Sequence, residues 1–327
     1  MFKGWMIEDS DGNHTVNLID IDEADLPIGE VLIDVSYSNL NYKDALAITS
    51  KAPVVKKFPM VPGIDMAGRV LSSTNSDFLE GTRILVTGWG LGENHWGGLA
   101  QKAQVNSDWI VPLPADIDER QAMALGTAGY TAMLCVMALE ENGIKPDMGE
   151  VLVTGAAGGV GSVAISLLAK LGYEVVALTG RPNETPYLKY LGASKIMARD
   201  EMSSPGKPIQ KERWSGVIDV AGSHILANGC ASTQYGGVVV ACGMTAGLDF
   251  PATVAPFILR GVSLVGIDSV MSSTEQRVKA WYRLSQDFDF KKLETMVEDI
   301  SLHQVKDKAV DIINGKVRGR VVISTSI

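Results

Sequence analysis

Cysteine and histidine are scarce in this chain of 327 residues. The three cysteines, Cys135, Cys230 and Cys242, lack metal-ligand spacing and cannot all pair, which sets aside a disulfide framework and suits a reducing cytoplasm. The four histidines, His14, His95, His224 and His303, are scattered, so no metal is expected. Basic charge is also short, with 29 Lys and Arg against 38 Asp and Glu for a net charge of -9. That balance argues against general binding to nucleic acid or to an anionic membrane, though not against an anionic substrate held by a few local cations. The opening MFKGWMIEDSDGN has no signal-peptide core, and no apolar run reads as long enough to span a bilayer. Repeats and low-complexity tracts are absent. The expectation is a cytoplasmic protein with room for two domains.

What the chain does have is concentrated in residues 150–172, EVLVTGAAGGVGSVAISLLAKLG. An apolar run, Val151–Thr154, leads into a glycine-rich bend and then into helical spacing at Val160, Val163, Ala164, Leu167, Leu168 and Leu171. Strand, tight turn and helix are the setting of a dinucleotide fingerprint, because small residues let a pyrophosphate approach the N–H groups of a helix start. Laid on G-x-G-x-x-G the stretch reads Ala156, Gly158, Gly161, with Ala157, Gly158, Gly159 and Val160 at the expected phosphate contact. The second strand, Glu174–Thr179, ends in Thr179-Gly180-Arg181, with no carboxylate for a ribose 2′-hydroxyl. A hydroxyl and a guanidinium suit a 2′-phosphate, so NADPH is the expected cofactor. Arg199, after the third strand 195–198, is either a second cation for that phosphate or a solvated arginine beside Asp200 and Glu201.

Before this stretch, residues 1–120 read as mostly β, with strands at 30–37, 69–71 and 83–87, a turn entering a strand at 61–68, and a closing segment at 109–113. From Asp118 the pattern is helical, and Gly126–Gly129 marks two helices meeting at a small-residue bend. Strand candidates at 151–154, 174–179, 195–198, 216–220, 237–242 and 262–267 then alternate with helices at 184–191, 223–233 and 252–260. That alternation predicts a parallel sheet covered on both faces. The end of the chain holds helices near 275–287 and 304–314 and a strand at 320–325, too little for a core of its own, so it returns to the first domain.

The stretches SNLNYKDALAITSK (38–51), FPMVPGIDMAG (58–68), VTGWGLGENHWGGLA (86–100), GTAGYTAMLCVMALEENG (126–143), TGAAGGVGS (154–162) and KVRGR (316–320) resemble one family throughout. It is the acrylyl-CoA reductase (YhdH-type quinone oxidoreductase) family of the medium-chain dehydrogenase/reductases. The resemblance implies an α/β fold: a Rossmann-type doubly wound parallel sheet domain, 126–270, inserted into a mostly β GroES-like catalytic domain, 1–125 and 271–327. Zinc-dependent relatives carry Cys and Gly-His-Glu where this chain has Asn41 and Gly63-Ile64-Asp65, which implies a zinc-free protein. It further implies NADPH-dependent reduction of a conjugated C=C bond, acrylyl-CoA to propionyl-CoA, and a homodimer. A quinone or small-enone reductase and a non-catalytic NADPH-binding sensor stay open beside it.

Tyr42 is read either as a group contacting the cofactor or donating a proton, or as a ring that packs locally. Thr127 resembles a position whose hydroxyl reaches nicotinamide or its ribose, and is otherwise a helix cap. Met244, Ile267 and Ser269 lie where strands five and six end, the ligand-bearing edge of such a sheet. Arg320 resembles a cofactor-contacting position, and is otherwise a strand-edge cation. Asn41, Trp89, His95 and Trp96 are the substrate-pocket candidates, with His95 either an acid or a structural hydrogen-bonder. Lys43 and Asp44 read as a surface ion pair. Lys51, Lys56 and Lys57 read as a solvated cluster or as counter-charges for coenzyme A.

Overall fold

The computed structural model describes residues 1–326, the side chain of Asn13 excepted. The chain divides into two compact units. One comprises Met1–Thr127, Ser269–Ser285 and Val297–Ile327, and the other Ala128–Asp268 and Gln286–Met296.

The first unit opens on a hairpin of β1 (Phe2–Ser10) and β2 (Asn13–Ile21). Its Asp11-Gly12 turn has positive φ at both residues, the backbone that matches strand twist in a two-residue loop. Next come β3 (Val31–Asn39), α1 (Tyr42–Ile48), β4 (Asp65–Ser73), β5 (Arg83–Thr87), β6 (Lys102–Val105) and β7 (Val111–Pro112). Along β3, Val31, Ile33 and Val35 are buried and Asp34 is exposed, the alternation read at 30–37. Those valines and the isoleucine pack on Met66, Val70, Ile84 and Val86 of the neighbouring strands. The hairpin, α1 and β6 had no counterpart in the sequence reading, and 109–113 holds only the short β7 after a 3-10 turn.

Helix α2 (Glu119–Glu141) leaves helical geometry at Gly126, with φ 51° and ψ -154°. This is the bend expected from the small residues, and the unit boundary follows at Thr127. Helix α2 also corrects one expectation, because it is long and apolar enough by composition to cross a membrane. Its apolar window is 94% buried inside the protein, as in the core helix of a soluble fold.

The second unit carries β8 (Glu150–Val153), α3 (Gly159–Lys170), β9 (Val175–Thr179), α4 (Thr185–Leu191), β10 (Lys195–Ala198), β11 (Trp214–Asp219), α5 (Ser223–Ser232), β12 (Thr233–Ala241), α6 (Ala255–Arg260) and β13 (Ser263–Gly266). The six strands form one parallel sheet in the order β10-β9-β8-β11-β12-β13. Every residue of β9 and β11 is buried, as strands covered on both faces must be. The order reverses between β8 and β11, which makes their C-terminal ends the switch point where such sheets bind ligands.

The remaining elements are α7 (Thr274–Asp287), α8 (Phe290–Met296), β14 (Val297–Ser301), α9 (Val305–Ile313) and β15 (Arg320–Ser324). Strand β15 pairs antiparallel with β3 and parallel with β14, so these last strands extend the first unit's sheet, while Gln286–Met296 belongs to the second unit.

Candidate active site

In the second unit, β8 runs through Thr154–Gly158 into α3, with Gly158 as the N-cap. A side chain at Gly161 would lie 2.5 Å from the Gly155 carbonyl oxygen, so only glycine lets the helix start this close to the turn. Ala157 is buried, and Gly159 and Val160 form the first turn of α3, whose N–H groups have no acceptors within the helix. The four expected phosphate contacts therefore sit together on one helix start.

The end of β9 assembles the expected 2′-phosphate residues. The Arg181 backbone N–H donates to Thr179 Oγ1 at 3.0 Å, and its guanidinium donates to the Ala157 carbonyl at 3.0 Å. A side chain at Gly180 would lie 2.9 Å from the Arg199 guanidinium carbon. Two cations thus flank Thr179-Gly180, and Arg199 touches Asp200 only at 4.0 Å. Exposed Met244 follows β12, and Ile267 follows β13, its N–H donating to the Ala241 carbonyl at 3.0 Å. Ser269 belongs to the first unit, where its carbonyl accepts from Arg277 at 3.2 Å.

The first unit gathers Asn41, Thr127 and Arg320 around Asp65, which is fully buried. Its carboxylate accepts from Asn39 Nδ2 at 2.9 Å, Asn41 Nδ2 at 2.9 Å, the Thr127 N–H at 2.8 Å and Thr127 Oγ1 at 2.5 Å. Placed after the Gly126 break, Asp65 caps the second half of α2 from a distance and meets its positive dipole end. Arg320 is also buried, and donates to the Ala124 carbonyl at 2.9 Å and to Asn41 Oδ1 at 3.0 Å. Its second terminal nitrogen is buried without a partner.

Asp44 overturns the ion-pair expectation. It is buried and accepts from the Asn41 N–H at 2.8 Å and the Ile64 N–H at 2.9 Å, while Lys43 pairs with Glu93 at 2.5 Å. Burial pushes the Asp44 carboxyl up to about 7, against those two N–H donors. The reason is positional: Asp44 is N3 of a helix whose N-cap N–H it binds, so the side chain turns inward. Tyr42 stands at the first position of α1 and is exposed. Lys56 donates to the Pro53 carbonyl, and Lys51 and Lys57 are exposed.

Of the remaining pocket candidates, Trp89 lies under the Arg277 guanidinium, 4.5 Å from ring centre to Cζ. Arg277 is fully buried and also binds Thr87, Val270 and Ser272. His95 stacks edge-on against Trp109 with centres 5.0 Å apart, and its Nδ1 lies 3.0 Å from the Trp96 carbonyl. That contact places a proton on Nδ1, and burial pushes the ring's pKa down, while Nε2 is buried without a hydrogen-bond partner. Trp96 donates its indole N–H to the Pro59 carbonyl at 2.9 Å and lines a groove of about 540 Å³ with Met6, Glu8 and Ile19. The residues missed by the sequence reading are Asn39, Asp65, Arg277, Thr154 and Asp219. The one signal, for Asp65 and Asp219, is a carboxylate standing beside an apolar strand pattern.

Residues 27–115 match the alcohol dehydrogenase GroES-like domain, and 159–285 match the family described as zinc-binding dehydrogenase. The chain is 49% identical over 324 residues to probable acrylyl-CoA reductase AcuI of Escherichia coli K12, covering 99% of this chain and 100% of that protein. It is 51% identical over 304 residues to acrylyl-CoA reductase AcuI of Ruegeria pomeroyi, covering 93% and 92%. The crystal structure of the YhdH oxidoreductase from Salmonella enterica in complex with NADP superposes with a TM-score of 0.97 at 49% identity, covering 98% of this chain and 99% of that one. Two-domain architecture and glycine-rich turn together define a medium-chain dehydrogenase/reductase. Within that superfamily the chain belongs to the acrylyl-CoA reductase family.

The zinc that one of those descriptions implies does not fit. Ile64 offers no ligand atom, the Asp65 oxygens are taken by four donors, and no metal-binding group of His, Cys, Asp or Glu exists among the described residues. A dinucleotide phosphate does fit, at the α3 start and beside Arg181 after β9 and Arg199 after β10.

Proposed function

We propose that this protein reduces the C=C bond of an α,β-unsaturated acyl-CoA with NADPH, converting acrylyl-CoA to propionyl-CoA. The observation that carries the reading is the 49–51% identity, over nearly the whole chain, to a probable acrylyl-CoA reductase and to an acrylyl-CoA reductase. In this reading 126–270 is the cofactor domain, and 1–125 with 271–327 the catalytic domain. Ala157–Val160 hold the pyrophosphate, and Thr179, Gly180, Arg181 and Arg199 hold the 2′-phosphate. Met244, Ile267, Ser269, Thr127 and Arg320 contact the rest of the cofactor.

When bound, NADPH supplies hydride for the β-carbon of the thioester. The protein must then steady negative charge on the thioester oxygen and deliver a proton to the α-carbon. Tyr42 is the candidate donor, a residue exposed at the first position of α1. His95 suits that role less, because its Nδ1 proton is held by the Trp96 carbonyl. Asn41, Trp89, His95 and Trp96 shape the substrate side.

The test is to follow NADPH absorbance with acrylyl-CoA, free acrylate and a simple quinone offered in parallel. Fast oxidation with acrylyl-CoA alone is the expected outcome. Faster turnover of quinone moves the activity to a quinone reductase, and no turnover with any of the three leaves an NADPH-binding sensor.

The protein works as a homodimer in the cytoplasm. Supporting the dimer, β13 is the edge of the parallel sheet, and Leu264 on it and Ile258 and Leu259 on α6 expose apolar side chains. Light scattering should give twice the chain mass of 35.0 kDa, and a single-chain mass refutes the assembly.

A further inference from the structure

Three strand ends of the second unit meet at one residue, through its buried carboxylate and its backbone carbonyl. Asp219 closes β11 and is fully buried. Its Oδ1 accepts from Thr154 Oγ1 at 2.7 Å, and its Oδ2 accepts from the Gly222 N–H at 2.7 Å. The same Thr154 hydroxyl accepts from the Val220 N–H at 3.0 Å. Thr154 is the last residue before Gly155, where the phosphate-binding turn begins. On the other side, the Asp219 carbonyl accepts from the Cys242 N–H at 2.9 Å and from its thiol at 3.4 Å. Cys242 leads into Gly243-Met244, and a side chain at Gly243 would lie 2.4 Å from the Val220 carbonyl oxygen. The glycine-rich turn, the 220–222 turn and the Cys242–Met244 segment are thus tied to one residue.

We infer that Asp219 is a positioning residue for the cofactor, its carboxylate acting through Thr154 to set the glycine-rich turn and through the Gly222 N–H to set the 220–222 turn beside it. The inference rests on the proposed NADPH reading. A carboxylate suits the place because it accepts at both oxygens, toward a hydroxyl on one side and an N–H on the other. An amide presents a donor to one of them. The link lies beneath a pyrophosphate contact that NADPH and NADH share, and it does not touch the 2′-phosphate cations. Disturbing it therefore lowers affinity for both cofactors by the same factor.

The test uses the full chain, with cofactor affinity read by tryptophan fluorescence, turnover read by NADPH absorbance, and folding read by the thermal midpoint. Thr154→Val and Asp219→Asn are each expected to weaken NADPH and NADH about tenfold, the scale of one lost buried hydrogen bond. The loss should fall on KM for NADPH more than on kcat. Combining the two should cost clearly less than the product of the single penalties, because both remove the Thr154–Asp219 link and differ only in the Val220 and Gly222 N–H bonds. Thr154→Ser keeps the hydroxyl and should bind like the parent.

Folded variants with parental affinity overturn the inference, as do penalties that multiply in the double variant or a loss confined to NADPH. Should Asp219→Asn not fold, the Thr154→Val and Thr154→Ser pair decides alone. A parent protein that binds neither cofactor overturns the NADPH reading itself, and this inference with it.

Discussion

At the scale of single residues, cofactor choice rests on what stands at the end of β9. Arg181 and Arg199 flank a strand end without a carboxylate, and Arg181 is held in place by its contact to the Ala157 carbonyl. A guanidinium facing a phosphate makes charge-assisted hydrogen bonds worth roughly 1.5–3 kcal/mol. Arg181→Ala should therefore weaken NADPH by about 10- to 100-fold while leaving NADH within a few-fold, read as the ratio of the two dissociation constants. Equal losses for both would remove Arg181 from the 2′-phosphate. These residues were legible in sequence because strand, glycine and cation are contiguous there. Asp44 and Asp65 were not legible, because nothing in NYKD or GIDM says which carboxylate turns inward. Only the meeting of α1, β4 and the Gly126 bend buries them. The same holds for Asp219 and Thr154, which lie 65 residues apart and meet through the pairing of β8 with β11.

At the scale of elements, the bend in α2 shows a local signal with a distant cause. The run Gly126-Thr127-Ala128-Gly129 announced an interruption, and the interruption is there. What the run did not reveal is why it must be glycine. A side chain at Gly126 would lie 2.1 Å from Asn39 Nδ2 and 2.7 Å from Asp65 Oδ2, at a φ, ψ pair that is essentially glycine's alone. Gly126→Ala should cost about 3 kcal/mol or more, combining backbone strain with displacement of the Asp65 cluster. Gly143, also at positive φ but with nothing within 4 Å of an added side chain, should cost only about 1 kcal/mol as Gly143→Ala. Comparing the two thermal midpoints checks this, and equal shifts would mean that the Asp65 contacts do not constrain the bend. The parallel sheet was readable because alternating β and α segments leave few topologies. The β1–β2 hairpin went unread although its Asp-Gly turn is a strong signal, because its strands lack clean alternation: Trp5, Met6 and Ile7 are all buried in succession.

For the molecule as a whole, two buried carboxyls make stability depend on pH in a direction opposite to that of a salt-bridged acid. Burial raises Asp44 to about 7 and Asp219 to about 6, from an ordinary value of 3.8 in each case. The folded protein therefore holds protons that the unfolded chain has already released. Their contribution to stability is complete below about pH 4 and is lost as pH rises, through about 6 for Asp219 and about 7 for Asp44. For Asp44 the linkage is worth on the order of 4 kcal/mol. An uncharged amide has no such dependence, so the stability of the parent relative to Asp44→Asn should fall as pH goes from 5 to 7.5 and level off above that. Thermal midpoints of the two proteins across this range measure it. A difference independent of pH would show that Asp44 stays ionised throughout, held so by its two N–H donors. That outcome would place a permanent negative charge within reach of the Arg320 guanidinium and make the cluster a standing ion pair.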